Sequence, residues 1–337
     1  MVSIAEHKNY ELHTQHVPEL RYDGKSDFWQ WQKNAKAKLA ELLGMDKYKK
    51  CDPCFNLEYK KDCGEYTEYR FTIQSEENYF FPMVMRVPRG KEVGKHAVML
   101  CLQGHSTGFH ISLGVPKMEG DENTISGGDR DFVVRAVKEG WIAVAIEQRN
   151  FGECTGLNRL GGNCHLSSMV AMLSGRTTIG ERVWDCMRAI DALLENFDFI
   201  DPDKICLMGN SGGGTVTYYA ACLEERLALA MPSCAVCSWD MSVAVKRHCT
   251  CNYVPGIARY FDMGDIGGMV APRKLVVVHG VTDVGFYKPG VDKSYDLVVK
   301  AYEAAGCPHN CDLVTGPAGH RFYADLSWPV VHKMIGE

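Results

Sequence analysis

The residues best suited to chemistry surround Ser211, in the segment Gly-Asn-Ser-Gly-Gly at residues 209–213. Gly209 and Gly213 flank the serine two positions away on either side, which is the G-x-S-x-G pattern of a nucleophile elbow. In an elbow the serine occupies a strained turn between a strand and a helix, and side chains at the flanking positions would collide with neighbouring backbone. The pattern therefore predicts a nucleophilic Ser211. An ordinary glycine-rich turn is the alternative that the pentapeptide leaves open.

A serine attacks well at neutral pH only with a general base within hydrogen-bonding distance and an acid that orients this base. Two later segments offer them. The apolar residues 274–278 lead to Asp283, and the strand-like residues 312–314 lead to His320. Functional groups collect at the carboxyl ends of parallel strands, and the order Ser, Asp, His is that of α/β-hydrolases. We predict a triad of Ser211, Asp283 and His320.

Other side chains compete for these two roles. Asp240 follows the strand after the elbow, so it is an alternative triad acid. His309 and His332 lie before a strand and on a late helix, which are less suitable positions for the base. His279 is expected to be a strand residue without a catalytic role.

Hydrolysis of an acyl group also needs two donors for the oxyanion of the tetrahedral intermediate. The amide of Gly212, directly after the nucleophile, is one candidate. The other should come from the loop after the apolar residues 96–102, which are predicted to form a buried strand. The amide of His105 or Ser106 is therefore the second candidate. Substrate contacts are predicted for three aromatic residues, Trp239, Tyr253 and Phe286.

The cysteine pattern predicts no metal site and no cofactor. The chain has 15 cysteines. Cys51 and Cys54 form a C-x-x-C pair without the second pair that zinc would need. His248, Cys249 and Cys251 fall one ligand short of a closed site, so a structural loop is the favoured interpretation.

Composition limits the classes of partner. The 337 residues are 46% hydrophobic and 23% charged, with a net charge of −5. The absence of a basic cluster argues against nucleic acid and anionic membranes, and the charged first residues argue against a signal peptide. Scattered cysteines without an export signal favour the reducing cytoplasm. The expected partner is a small-molecule ester.

The elements that must position these groups alternate between strand and helix. Residues 66–337 are predicted to form one α/β domain with a mainly parallel sheet and helices on both faces. Residues 1–65 are predicted to be a helical extension, and its aromatic helix from residue 26 or 27 to 43 could contact this domain or a second copy in a homo-oligomer. Residues 239–270 are expected to be a cap-like excursion. In a helix over residues 178–194, Asp185 and Arg188 are expected to form an ion pair.

These motifs resemble α/β-hydrolases of the acetyl-xylan-esterase-like and dienelactone-hydrolase-like groups. The resemblance rests on residues 209–213, Asp283, Gly319 with His320, and the segments 175–192 and 248–256. It covers roughly residues 66–337 and implies a carboxylic ester hydrolase, often acting on acetyl esters of sugars. The chain departs from the better-studied deacetylases in three motifs. It has Arg-Asn-Phe at residues 149–151 instead of R-G-Q, Gly212 instead of glutamine, and Arg321 instead of glutamate after the histidine.

Two other functions are compatible with the pattern. A serine peptidase of the prolyl-oligopeptidase type shares the triad order, although about 65 residues before the domain are too few for the propeller expected of that group. A non-catalytic binding protein of the same fold would be expected to lack a triad residue, whereas all three are present here.

Overall fold

The computed structural model of this chain describes residues 3–156 and 164–336. Within these residues one nine-stranded sheet forms the centre of the molecule. Its strands in chain order are β1 Asn56–Asp62, β2 Tyr66–Glu76, β3 Tyr79–Pro88, β4 His96–Leu102, β5 Ile142–Ile146, β6 Ile200–Asn210, β7 Leu227–Ser233, β8 Lys274–Gly280 and β9 Cys311–Gly316.

The strands lie side by side in the order β1-β2-β3-β5-β4-β6-β7-β8-β9. The pairs from β1 to β3 and the pair β3 and β5 are antiparallel, and all pairs from β5 to β9 are parallel. The α-helices of the described residues are α1 Ala5–Gln15, α2 Phe28–Leu43, α3 Asp121–Gly128, α4 Phe132–Lys138, α5 His165–Leu173, α6 Thr178–Asn196, α7 Gly212–Leu223, α8 Ile257–Tyr260, α9 Met263–Gly268, α10 Lys288–Ala304 and α11 Ala324–Ile335.

Side chains of the central strands alternate between two apolar layers. Along β4, Val98 and Leu100 face one layer, while Met99 and Cys101 face the other. The first layer is covered by α2, α6, α7, α9 and α10, and the second by α4 and α11. Burial on both faces explains why the strands have continuous apolar sequences. A mainly parallel sheet with helices on both faces is the α/β-hydrolase fold predicted from the sequence.

The aromatic N-terminal helix packs on this domain. Asp27 accepts a hydrogen bond from the backbone N–H of Gln30 at 2.7 Å, and Gly44 ends α2 in the left-handed conformation. The buried face of α2 includes Phe28, Trp31 and Leu39. The short edge strand β1 was not predicted from the sequence, because its residues are all exposed and mostly charged.

The sheet brings the chemistry-bearing residues to one edge. β6 ends next to Ser211, β8 ends three residues before Asp283, and β9 ends four residues before His320. Residues 239–270 lie between β7 and β8 and contain the short helices α8 and α9. No helix among residues 3–156 and 164–336 has both the length and the apolar composition needed to cross a bilayer.

Candidate active site

Ser211 occupies the strained turn predicted between β6 and α7. Its backbone has φ 56° and ψ −121°, a conformation that is unfavourable for a residue with a side chain. The flanking glycines are required by close contacts. A Cβ on Gly209 would lie 2.5 Å from the Gly213 carbonyl, and a Cβ on Gly213 would lie 2.3 Å from the carbonyl oxygen of Leu102. The elbow therefore packs directly against the end of β4.

His320 and Asp283 form a hydrogen-bonded pair at the same edge. Nδ1 of His320 lies 2.7 Å from Oδ2 of Asp283. The other carboxylate oxygen accepts the backbone N–H groups of Gly285 at 2.8 Å and Phe286 at 3.3 Å. Burial would raise the pKa of the Asp283 carboxyl, but the hydrogen bond and charge of His320 hold it below its ordinary value. An ionised, immobile carboxylate is what is needed to orient a histidine base.

The residues that competed for the roles of triad acid and base form contacts away from Ser211. Asp240 accepts a hydrogen bond from Lys293 at 3.0 Å, and Nε2 of His332 lies 2.9 Å from a carboxylate oxygen of Glu139. His279 is buried, and neither ring nitrogen has a hydrogen-bond partner among the described residues. Burial lowers its pKa, which favours a neutral ring. Asp283 is therefore the acid that the fold places against His320.

The loop after β4 lies beside the elbow. A Cβ on Gly212 would lie 3.0 Å from Cε1 of His105 and 3.9 Å from its backbone nitrogen. The first N–H of α7 and the N–H of His105 are therefore close to each other, and an amide at the start of a helix has no partner within that helix. This arrangement favours the pair Gly212 and His105 as the oxyanion donors. The hydroxyl of Ser106 is buried and has no hydrogen-bond partner among the described residues.

Asp121 holds the chain between this loop and α3. Its carboxylate accepts hydrogen bonds from the Thr107 hydroxyl at 2.6 Å and from the backbone N–H groups of Lys117 and Met118 at 2.9 Å, and it contacts Nε2 of His110 at 2.9 Å. Although burial alone would raise the pKa of Asp121, these contacts lower it to about 2. The carboxylate thereby fixes the segment that begins at the predicted oxyanion donor.

Ser211, Asp283 and His320 line one open cleft of about 390 Å³. Phe286 stacks on the imidazole of His320, with ring centroids 5.8 Å apart and an interplanar angle of 12°. The rest of the lining carries several polar side chains, but most of the accessible surface of the cleft is apolar. The remaining lining residues are His105, Gly212, Thr215, Arg247, His248, Cys249, Asn252, Val284 and Gly285.

The other two predicted substrate residues lie outside this cleft. Trp239 is buried in the core and donates its indole N–H to the carbonyl of Phe261 at 2.7 Å. Tyr253 is exposed and donates its hydroxyl to the carbonyl of Val243 at 3.2 Å. Both line a separate, smaller cavity of about 210 Å³ that shares Asn252 with the cleft. Of the three predicted aromatic contacts, Phe286 is the one that the described cleft includes.

Two residues that line the cleft were not predicted from the sequence to do so. Arg247 and His248 come from the excursion between β7 and β8. The His248 ring packs edge-on against Phe286 at 5.2 Å, and burial lowers its pKa. Their position could not be read from the sequence, because the excursion has no regular periodicity.

A buried ion pair supports the strand beside β4. Arg149 forms a bidentate contact with Asp185 of α6, with N···O distances of 2.7 and 2.8 Å. The Ser75 hydroxyl, Glu76, Glu181 and Arg176 belong to the same network. The predicted pair of Asp185 with Arg188 is therefore wrong. Arg188 points elsewhere and contacts Asp191.

The cysteine chemistry also differs from the expectation. The ligand atoms of His105, Cys164, Cys249 and Cys251 all lie within 4.8 Å of one another. We call these four residues the Cys₃His cluster. The sequence had suggested His248 as a neighbour of Cys249 and Cys251, leaving three ligands. Tertiary structure places His105 and Cys164, and not His248, beside these two cysteines, so four side chains that could hold a metal ion lie together.

Comparisons with known proteins agree with this architecture. The model of the prolyl oligopeptidase family matches residues 175–284, a segment that includes Ser211 and Asp283 but not His320. A Bacillus subtilis (strain 168) protein assigned as a hydrolase, YtaP, is 27% identical over 221 residues, which are 63% of this chain and 71% of that protein.

Solved structures of carbohydrate esterases have similar folds. A Bacteroides fragilis protein assigned as an acetyl xylan esterase superposes with a TM-score of 0.82 at 17% identity, covering 100% of this chain and 96% of that one. A glucuronoyl esterase from Solibacter usitatus has a TM-score of 0.68 at 14% identity, covering 94% and 96%. Acetyl xylan esterase 1 from Thermoanaerobacterium sp. has a TM-score of 0.61 at 17% identity, covering 99% of each chain. At these identities the similarity confirms the α/β-hydrolase fold.

Proposed function

We propose that this protein is a serine-dependent carboxylic ester hydrolase that removes an acyl group, most simply acetyl, from a small or carbohydrate ester. The observation that carries the proposal is the shared cleft. Ser211, on its strained elbow, opens into the same space as His320, whose far ring nitrogen is bound to a buried carboxylate. The esterase neighbours support a carbohydrate ester as the substrate class.

In the proposed mechanism, Ser211 attacks the ester carbonyl while Nε2 of His320 accepts its proton. Asp283 holds the imidazole through Nδ1 and stabilises the imidazolium ion. The amides of Gly212 and His105 donate to the oxyanion, and each such donor is worth about 10²–10³ in rate. His320 then protonates the leaving alcohol. Water, activated by the same histidine, hydrolyses the acyl-enzyme and releases the acid.

Peptide hydrolysis is the second candidate. It is favoured by the match to the prolyl oligopeptidase family over residues 175–284. The same triad could cleave either bond, because both reactions proceed through an acyl-enzyme. The esterase neighbours support the ester over the peptide.

The test is hydrolysis of p-nitrophenyl esters from acetate to octanoate, together with acetylated xylo-oligosaccharides and a prolyl peptide substrate. We expect the wild type to prefer acetate and Ser211→Ala to lose several orders of magnitude in kcat. A fluorophosphonate should label the wild type and not the variant. Equal activity of the two proteins on every ester would contradict the proposal, and cleavage of the peptide alone would favour the second candidate.

Cytoplasmic location and self-association are further proposals. All 15 cysteines lie in the described residues and are free thiols, which supports a reducing compartment.

Trp29, on the outer face of α2, is 48% exposed and could contact a second copy. Size-exclusion chromatography with light scattering would measure the oligomeric state.

A further inference from the structure

The Cys₃His cluster joins three separate parts of the chain. His105 comes from the loop after β4, and Cys164 lies at the N-cap of α5. Cys249 and Cys251 come from the excursion between β7 and β8. Cys164 is 2% exposed and Cys251 is 1% exposed, and both pack with the buried ring of Phe151.

The spacing of the four ligand atoms suits a tetrahedral ion. Nε2 of His105 lies 3.3 Å from Sγ of Cys251 and 3.8 Å from Sγ of Cys164. Around Zn²⁺, bond lengths of about 2.3 Å to sulfur and 2.0 Å to nitrogen give ligand–ligand separations of about 3.8 Å between sulfurs and about 3.5 Å between sulfur and nitrogen. The four atoms, within 4.8 Å of one another, therefore need little movement to enclose one ion.

A buried cation balances the charge that such a site would carry. Three thiolates and Zn²⁺ have a net charge of −1. Arg182 is 1% exposed and donates a hydrogen bond from Nη2 to Sγ of Cys164 at 3.2 Å. Its other hydrogen bonds go to the carbonyl oxygen of Arg149, and no salt bridge to a carboxylate is formed with the described residues. A buried arginine without a carboxylate partner is costly unless another anion faces it.

The cluster also touches the proposed active site. Both His105 and Cys249 line the cleft with Ser211, and the His105 ring packs against Gly212. Arg247, His248 and Asn252 lie within four residues of the cluster's cysteines and line the same cleft. An ion held here would join the loop that carries a proposed oxyanion donor to the excursion that lines the cleft.

We propose that His105, Cys164, Cys249 and Cys251 bind one Zn²⁺ ion in a closed structural site that fixes the cleft wall. Binding replaces the protons of three thiols. The sulfurs and Nε2 of His105 become the four ligands, and three protons leave to solvent. Four protein ligands leave no open position for water, so the ion has a structural role and not a catalytic one. Metal binding is measured directly and does not depend on esterase activity. The zinc proposal can therefore fail while the ester hydrolase proposal stands, and the ester hydrolase proposal can fail while the zinc proposal stands.

The experiment measures metal in the full-length protein, purified under reducing conditions with zinc in the growth medium. Elemental analysis should find about one zinc per chain. After removal of zinc by a chelator, Co²⁺ titration should give the visible absorption bands and the sulfur-to-metal charge-transfer band of tetrahedral thiolate coordination. Cys164→Ser and Cys251→Ser should each lose the bound zinc and these bands.

Cys222→Ser is the matched control. Cys222 is also buried, and its Sγ contacts the carbonyl oxygens of Tyr218 and Ile266, which a serine hydroxyl can also reach. It should retain zinc. If the cluster variants do not fold, cobalt titration of the wild type still decides, since octahedral or absent cobalt bands would overturn the proposal. A disulfide joining Cys164 to Cys249 or Cys251 that persists through the reducing purification, found by mass spectrometry, would also overturn it.

Discussion

Nδ1 of His320 lies 2.7 Å from a carboxylate oxygen of Asp283, while Asp240 is hydrogen-bonded to Lys293 at 3.0 Å. Both acids follow strands at the same edge of the sheet, and both were candidates from the sequence. We expect Asp283→Asn to lower kcat by about 10⁴-fold, because an amide would favour the wrong tautomer of the histidine. Asp240→Asn should change kcat by less than roughly tenfold. Steady-state kinetics on p-nitrophenyl acetate would measure both, and a larger loss in Asp240→Asn would reverse the assignment.

Phe286 should orient the imidazole as well as line the cleft. Its ring lies parallel to that of His320, at a centroid distance of 5.8 Å. Phe286→Ala removes this support, and we expect kcat/KM to fall by roughly 10²-fold because small displacements of a catalytic group are costly. Phe286→Leu, which keeps most of the volume, should lose less. Phe80→Ala, at a site 49% exposed on β3, is the control. Wild-type kinetics in Phe286→Ala would contradict a positioning role.

The buried pair of Arg149 and Asp185 should contribute strongly to folding. Asp185→Asn removes the bidentate carboxylate partner of Arg149, which keeps Glu76 at 2.6 Å, and losing hydrogen bonds to a charged group typically costs about 1.5–3 kcal/mol. Asp185→Asn should lower the free energy of unfolding by that amount in urea denaturation. Glu11→Gln breaks the exposed contact with Lys8 at 3.1 Å and should cost less than about 1 kcal/mol. Similar losses in the two variants would show that the network is not specially stabilising.

Asp121 should make stability depend on acid pH. Its pKa falls from an ordinary value of 3.8 to about 2 in the folded protein. A lowered pKa stabilises the fold at pH values above the unfolded pKa, and this contribution is lost as pH falls from about 4 to about 2. Asp121→Asn should therefore cost about 2 kcal/mol at neutral pH and much less near pH 2.

Urea denaturation at both pH values measures this difference, with the exposed Asp198→Asn as the control. A pH-independent loss in Asp121→Asn would indicate that packing, and not ionisation, is responsible.

The local elements could be predicted because their signals are local. The predicted strand over residues 96–102 has the bounds of β4, and the predicted helix over residues 178–194 differs from α6 at its C-terminal end alone. The elbow was visible for the same reason. Its glycines are required by contacts within a few residues of Ser211 and with the adjacent strand end, and such requirements leave a readable pattern. Asp283 and His320 followed from their positions after strands.

Contacts between distant segments were decided by the tertiary structure. The sequence predicted that Trp239 and Tyr253 contact substrate, but the path of the excursion takes them to a cavity beside the cleft that contains Ser211. The sequence also predicted that Asp185 pairs with Arg188, three residues away. Its buried partner in the structure is Arg149, which is 36 residues away.

The Cys₃His cluster shows most clearly where sequence reasoning ends. Cys249 and Cys251 have the spacing of metal ligands. Cys164 lies 85 residues before Cys249, and His105 lies 146 residues before Cys251. From the spacing of residues along the sequence, only the ligands that lie on one loop can be predicted. The other ligands come together only when the sheet aligns the end of β4 with the excursion after β7, because that alignment depends on packing across the whole domain.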